Sequence, residues 1–331
     1  MQTIIEKIKQ FDLRGRGGAD FPTAAKWEMV KSACVAKKYV VCNVAEGEAD
    51  LLRGEFILQK FPDELVNGIK IAMETVGAEE AYIYLRKDLF RKFKLQLAGV
   101  IGDLPIKLFE KRGGYLAGEE TTALEDIEGK RIEPRNKPPY PVENGLFGCP
   151  TLINNIETLY YVSRIAKDEY KKTRLYTLSG VIKNKGVFEI AEDYTVEKIL
   201  QETGNWPEFD FFVRVGGGTS GEFMTSDQLR CAACGDGSII VFDRSKVSVT
   251  KLLEEIIDVF HSENCGKCVP CREGIYRIRE MIRNGKIEEK NLDDILAVLS
   301  ETTFCPFGKC VAQPFASLYK KVYLENGENK N

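Results

Sequence analysis

The chain is almost without histidine: His261 is the single one in 331 residues. That leaves little room for triad hydrolase chemistry, which needs an imidazole as general base. No stretch approaches the ~20 consecutive apolar residues of a membrane helix. The first nine residues carry no apolar block of a secretory signal and read as an amphipathic helix. Neither charge sign dominates, since 47 Lys and Arg against 50 Asp and Glu leave a net charge of −3. Both signs are interspersed, so no basic surface for nucleic acid is expected. Internal repeats are absent, and low complexity is confined to the polar tail at 325–331. With 44% hydrophobic residues, the length suits two or three domains.

Cysteine, by contrast, is plentiful. Ten cysteines outside a secretory context favour ligands and reduced thiols over disulfides. Cys265, Cys268 and Cys271 form a C-x-x-C-x-x-C run, and Cys305 stands downstream, followed by Pro306. Each two-residue spacing lets a tight loop fold three thiolates around one face of a metal cluster. A distant fourth cysteine before proline completes the bacterial iron–sulfur pattern. Structural zinc, the alternative, usually takes two separated C-x-x-C pairs. Cys310 competes as fourth ligand, but the following proline favours Cys305. Cys231 and Cys234 make a lone C-x-x-C, read as ordinary thiols because one pair cannot fill four coordination positions.

Along the chain, a glycine-rich loop at 13–22 follows the first helix. Apolar strands are expected at 39–43 and 81–85. Between them Leu65, Val66, Ile69, Met73 and Val76 keep the helical period until Gly77. Strand, helix, strand at this spacing is a βαβ unit and predicts a parallel sheet. A strand at 106–110 leads to a second glycine-bearing loop at 113–120, which opens a helix. The proline-rich stretch 133–141 runs extended. From about residue 174 a hairpin, a helix at 196–201 and strands at 211–215 and 239–242 predict a small α+β module similar to a β-grasp (ubiquitin-like) layout. Helical segments at 250–261, 272–284, 291–301 and 312–324 close the chain, with the cysteine run between the first two.

The loop from Gly15 through Arg16, Gly17, Gly18 and Ala19 to Asp20 superficially matches a dinucleotide fingerprint. It fails twice, because a helix precedes it and Asp20 occupies the final glycine position. Its glycines still let backbone N–H groups approach a phosphate, with Arg16 and Lys26 adding charge; the plain alternative is a structural turn. Glu119 and Glu120 stand at a helix N-terminus, where carboxylates oppose the helix dipole or accept from ribose or flavin. Asn154 and Asn155 either turn the chain or offer amides to a flavin.

Together these segments resemble the flavin- and NADH-binding subunit of respiratory complex I, found also in NAD-linked hydrogenases and formate dehydrogenases. The matching residues are Arg14-Gly-Arg-Gly-Gly-Ala-x-Phe-Pro-Thr23, Lys26-Trp27, Asn43, Glu46-Gly-Glu48 and Tyr115-x-x-Gly-Glu-Glu-Thr121. They continue with Lys137-Pro-Pro-Tyr140, Gly148-x-Pro150, Ile153-Asn-Asn-x-Glu-Thr158 and Cys265-Gly-x-Cys-x-x-Cys-Arg-Glu-Gly274. The resemblance spans nearly the whole chain. It implies an FMN-binding α/β domain at 1–172, a β-grasp domain at 173–246 and a helical bundle at 247–331 that holds a [4Fe–4S] cluster.

By the same resemblance Gly15, Arg16, Gly17, Gly18, Lys26, Asn43, Glu46, Tyr115, Gly118, Glu119, Asn154 and Asn155 surround FMN. Phe21, Glu48, Glu120, Lys137 and Tyr140 line the nicotinamide-nucleotide pocket, with the aromatics on adenine, Glu120 at a ribose and Glu48 in the catalytic role. Cys265, Cys268, Cys271 and Cys305 hold the cluster. The implied function is an electron-transfer flavoprotein subunit: hydride exchange between NAD(H) and FMN, then one-electron relay to the cluster. The implied partners are a [2Fe–2S] thioredoxin-like subunit and further iron–sulfur or catalytic subunits, in the cytoplasm or peripheral to a membrane through the complex. The family usually shows Phe where Tyr140 stands. Two larger departures concern the donor site: Asp20 replaces a glycine beside the nicotinamide, and Ala45 replaces an aspartate beside the flavin. They leave open a second function, an FMN and [4Fe–4S] electron conduit without nicotinamide binding.

Overall fold

The computed structural model describes residues 2–45, 47, 51–217, 220–233 and 235–324. The chain divides into two compact units whose main boundary lies between Thr173 and Arg174. The expected β-grasp and helical segments both fall in the second unit.

In the first unit a capping box starts helix α1 (Ile4–Gln10): Thr3 accepts the Glu6 N–H at 3.3 Å, and the Glu6 carboxylate accepts the Thr3 N–H at 2.7 Å. The order then runs α2 (Thr23–Ser32), β1 (Tyr39–Val44), α3 (Arg53–Lys60), α4 (Pro62–Val76), β2 (Glu80–Leu85), α5 (Lys87–Ile101) and β3 (Ile106–Glu110). A 3-10 turn at Tyr115–Gly118, α6 (Glu120–Ile127), β4 (Thr151–Asn155) and α7 (Ile156–Ala166) complete it. Proline at the first turn of α4 and Gly77 at its C-cap, with φ +73°, bound that helix where the sequence marks it.

The sheet order is β3-β2-β1-β4, parallel throughout. The chain steps outward from β1 to β3, then returns to the far side of β1 to lay down β4. Strand order therefore reverses between β1 and β4, the position beyond whose carboxyl ends open α/β sheets bind their ligands. Register sets Asn43 of β1 beside Asn155 of β4. Helix α7 is buried on nearly every side, and α4 crosses it at Gly68, where an added Cβ would stand 2.0 Å from the Leu159 carbonyl oxygen. A fully buried ion pair, Arg53 Nη1 to Glu157 Oε2 at 2.9 Å, ties α3 to α7.

The second unit carries β5 (Thr173–Gly180), β6 (Gly186–Ala191), α8 (Val196–Glu202), β7 (Phe211–Val215), β8 (Glu222–Thr225) and β9 (Ser238–Asp243). Its mixed sheet has the order β6-β5-β9-β7-β8, with β5 parallel to β9 and β7 antiparallel to both neighbours. Val196, Ile199 and Leu200 of α8 share a core with Tyr176, Val213 and Val241. Phe212, Phe223 and Phe242 pack together. The helices α9 (Val249–Ser262), α10 (Val269–Arg283), α11 (Glu289–Thr302), α12 (Pro306–Lys309) and α13 (Ala312–Leu318) follow. The Phe223 N–H donates to Ser317 Oγ of α13 at 2.9 Å, anchoring the helical part on the sheet. No helix among the described residues is long and apolar enough to cross a membrane.

Several elements were not legible in the sequence: α2, α3, α5, β4, α7 and β8. Strand β4 ends in two asparagines and reads as a turn, but pairing along β1 holds it extended. Helix α7 lacks a polar stripe because both faces are covered, so its periodicity is hidden. Gly68→Val is expected to destabilise the first unit by at least ~2 kcal/mol, since backbone cannot yield to the added carbons. Urea unfolding followed by Trp27 fluorescence in a Trp206→Phe background measures it, and an unchanged midpoint would refute this packing.

Candidate functional site

At the switch between β1 and β4, several of the singled-out residues meet. The loop after α1 closes on itself through Gly15 N–H to Phe21 O at 2.9 Å and Thr23 N–H to Leu13 O at 3.0 Å. Its exposed tip includes Gly17 and Gly18, the latter at φ +96°. A Cβ on Gly17 would lie 3.4 Å from the Asn155 Cβ, so the tip sits against the residue that caps α7. Asn155 accepts the Glu157 N–H at 2.9 Å. The positive end of α7 and a glycine turn thus share one place, an arrangement suited to a phosphate.

Asn43 braces the opposite wall. Its Nδ2 donates to Gly118 O at 2.9 Å and its Oδ1 accepts the Ala45 N–H at 3.0 Å. A Cβ on Gly118 would meet Ala45 O at 3.2 Å, and one on Gly47 would meet Tyr115 Cδ2 at 2.6 Å. Glycine lets these walls approach as side chains would not. Trp27, fully buried, donates from Nε1 to Asn154 Oδ1 at 2.9 Å and fixes that amide at the end of β4.

Beside this cradle lies a charge cluster. Lys137 Nζ donates to Glu119 Oε1 at 2.9 Å and Glu120 Oε1 at 2.7 Å, while Lys26 Nζ reaches Glu120 Oε2 at 3.4 Å and Ile153 O at 3.2 Å. Glu119 also caps α6 through the N–H groups of Thr121 and Thr122. Burial alone would push the Glu120 carboxyl up, but Lys26 and Lys137 hold it below its ordinary value. Burial would likewise pull the Lys137 ammonium down, but Glu119 and Glu120 hold it above. Glu120 thus contributes stability that is full above the ordinary carboxylate range and fades as pH falls through its lowered value. Lys137 contributes below the ordinary lysine range and fades as pH rises through its raised one. Glu120 and Lys137 therefore both stay ionised across neutral pH. Phe21 and Tyr140 are 42% and 51% exposed, available for stacking.

Three placements differ from the sequence expectations or fall beyond them. Arg16 turns inward: it is 6% exposed, its N–H donates to Thr158 Oγ1 at 3.0 Å and its Nη2 to the Tyr170 hydroxyl at 3.2 Å. Asp20 has φ +49°, a left-handed backbone natural for glycine and within reach of aspartate. Its carboxylate accepts from Arg14 Nε at 2.7 Å. Glu46 and Glu48 lie outside the described residues. Lys111, which no sequence pattern marked, is 5% exposed with Nζ 3.2 Å from Ala45 O. Two open clefts elsewhere, of about 390 and 470 Å³, carry none of these residues; in the first, Arg135 is already paired with Glu125 and Glu128.

In the second unit Cys268 is the N-cap of α10, Cys271 lies in its first turn and Cys305 is the N-cap of α12. Burial pushes the Cys271 thiol up, and the nearby Cys268, Cys305 and Cys265 push it further. The Cys310 thiol is raised by burial alone. The four expected ligands are therefore neighbours, and Cys310 stands apart from Cys271. Among the described residues no three His, Cys, Asp or Glu side chains converge tightly enough for a single metal ion. Cys268, Cys271 and Cys305 at helix N-termini, with Cys265 in the loop just before α10, suit an iron–sulfur cluster, just as the glycine-lined cradle suits a flavin nucleotide.

Comparison with known proteins supports both cofactors. A family model described as the Nuo51 FMN-binding domain matches residues 8–164, and one described as the NADH-ubiquinone oxidoreductase-F iron-sulfur binding region matches 251–326. The F 2 subunit of the NADH-quinone oxidoreductase of Rhizobium meliloti is 33% identical, over 97% of this chain and 87% of that protein. The NAD-reducing hydrogenase HoxS subunit alpha of Cupriavidus necator is 31% identical, over 99% of this chain and 60% of its own length. A crystal structure of an NAD+-reducing [NiFe]-hydrogenase in the H2-reduced state superposes with a TM-score of 0.89 at 26% identity, covering 99% of this chain. The chain spans 62% of the length of that hydrogenase chain.

Alanine at Cys265, Cys268, Cys271 or Cys305 is expected to abolish or convert the [4Fe–4S] EPR signal, and alanine at Cys310 to leave it. An unchanged signal in Cys305→Ala would refute this ligand set.

Proposed function

We propose a role built on one premise: the chain belongs to the family of NADH-quinone oxidoreductase F subunits. It is an electron-transfer flavoprotein subunit of the NADH-dehydrogenase type, with FMN and a [4Fe–4S] cluster as cofactors and NAD(H) as its substrate. When bound, FMN supplies the exchange between the two-electron chemistry of a nicotinamide and carriers that take one electron at a time.

The site assignment is our inference, carried by the meeting of Gly17, Asn43, Gly118, Asn154 and Asn155 at the strand-order reversal. The glycine tip and the α7 N-terminus receive the flavin phosphate. Asn43, by pinning Gly118 to Ala45, keeps one wall thin enough for a planar ring, and Asn154, oriented by Trp27, turns an amide to it. Lys26, Glu119, Glu120 and Lys137 form the polar end of the nicotinamide-nucleotide pocket, with Phe21 and Tyr140 stacking on its adenine. Arg16 acts in this scheme by shaping the loop from beneath, not by touching phosphate. The roles of Glu46 as a flavin contact and Glu48 as a catalytic carboxylate rest on the family resemblance. The second unit's sheet, with one helix against a mixed five-stranded order, supports a β-grasp module at 173–246, followed by a cluster-bearing bundle at 247–331.

Relatives named as subunits of quinone oxidoreductases and of an NAD-reducing hydrogenase support a place in a larger redox complex. Two-electron input and a single one-electron cluster call for a second carrier, which we assign to a [2Fe–2S] thioredoxin-like partner. We expect the complex in the cytoplasm or attached to a membrane only through other subunits.

The Arg14–Asp20 pair favours NAD(H) use over a conduit closed to nicotinamide, because the new carboxylate is held by a cation. Anaerobic NADH is expected to bleach the flavin absorbance of wild type and Asp20→Gly at rates within about threefold, since the compensated, solvent-exposed charge is worth little. Arg14→Ala, which unmasks Asp20, is expected to raise the KM for NADH about threefold with kcat kept. Bleaching of Asp20→Gly alone would establish the conduit instead.

A further inference from the structure

We propose that Asp126 is a positioning residue for the flavin: its carboxylate fixes the start of the loop segment whose end, at Gly118, forms the cradle wall. The proposal rests on the FMN reading above. Asp126 belongs to none of the motifs that carry the family resemblance.

Asp126 stands in the last turn of α6 and is fully buried. Its Oδ2 accepts from the Tyr84 hydroxyl at 2.6 Å and from the Arg112 N–H at 3.0 Å, and its Oδ1 accepts from Arg112 Nε at 2.5 Å. Arg112 Nη2 donates to the Asp126 carbonyl as well. One side chain thus joins β2, the turn after β3 and α6. The guanidinium also lies 5.9 Å from the centre of the Phe109 ring, which stacks on Tyr84. Burial and the carboxylate push the Tyr84 hydroxyl up, so it stays a donor. Burying a carboxylate is costly even with such partners, and an apolar contact could join the same elements without that cost. What directional hydrogen bonds add is a fixed position.

From this node the wall can be followed residue by residue. Gly113 is packed so closely that an added Cβ would stand 2.9 Å from Ala117 Cβ and from Ile132 Cδ1. Thr122 Oγ1, on α6, donates to Leu116 O at 2.6 Å. Asn43 Nδ2 then holds Gly118 O at 2.9 Å, and Glu119 caps α6. Asp126 therefore sets one end of the segment 112–118 and Asn43 the other. Both anchors lead back to neighbours in the sheet, because Tyr84 is the register partner of Asn43. A wall held at both ends is ordered before FMN arrives, so less entropy is lost on binding.

The test is reconstitution of the flavin-stripped full chain, reading the FMN dissociation constant, the circular dichroism of bound flavin and the urea midpoint. Arg112→Met keeps the main-chain bond to Asp126 and an apolar stem, but removes the charged arm. It is expected to raise the FMN Kd about tenfold and to diminish the flavin dichroism. Arg112→Lys, which returns a cation with fewer donors, is expected to fall between Met and wild type. Tyr84→Phe cuts one bond to the same carboxylate and is expected to raise Kd about threefold; it decides the matter should the Met variant not fold. A merely structural tie would lower the urea midpoint and leave Kd and dichroism alone, since nearly all molecules are still folded in water. That result would overturn the proposal. Wild-type protein that binds no FMN would overturn the flavin reading itself.

Discussion

The pairing of β4 along the outer side of β1 is the constraint from which the first unit's site follows. Without that return, Asn154 and Asn155 would have no fixed place and the end of β1 would be an open edge. With it, two strand ends, the N-terminus of α7 and the glycine loop are brought within a few ångströms. The pairing is held from outside the sheet as well. Gly68 lets α4 press onto α7, and the buried Arg53–Glu157 pair locks α3 to the same helix. Breaking such a pair leaves one charge buried alone, so the helix that caps the site is among the least free to move.

Charge is managed differently at each depth. Deep in the first unit the Arg53–Glu157 pair is fully sealed. In the cluster beside the cradle, Lys26, Lys137, Glu119 and Glu120 share partners, so no member depends on one contact. Such a network stays polar and pre-ordered without a net charge that would repel a dinucleotide. At the rim, Arg14 and Asp20 form a solvent-exposed pair, weak in energy but sufficient to turn a carboxylate aside.

The sequence foretold what local chemistry determines. The iron–sulfur region could be read because cysteine spacing is a local property, and the structure makes Cys268 and Cys305 helix caps. The βαβ unit could be read from periodicity and from Gly77. The inward turn of Arg16 could not, because its partners, Thr158 and Tyr170, lie some 140 residues or more away in sequence. Lys111 escaped notice for the same reason: a lone lysine after a strand looks like a solvated end until β1 is placed beside β2. Strand β4 and helix α7 were hidden because burial on all sides removes the polar alternation that marks an element.

The left-handed backbone at position 20 bears on how this site can change over generations. Glycine and aspartate codons differ by one nucleotide, and both residues accept that conformation. Arg14 is part of the family motif that this loop resembles, in which glycine stands at position 20, so the cation does not depend on the acid. Acquiring Asp20 therefore needs no compensating second mutation. The rim of the pocket can gain or shed a carboxylate in a single genetic step, and lineages can drift across that difference while the cradle beneath it stays unaltered.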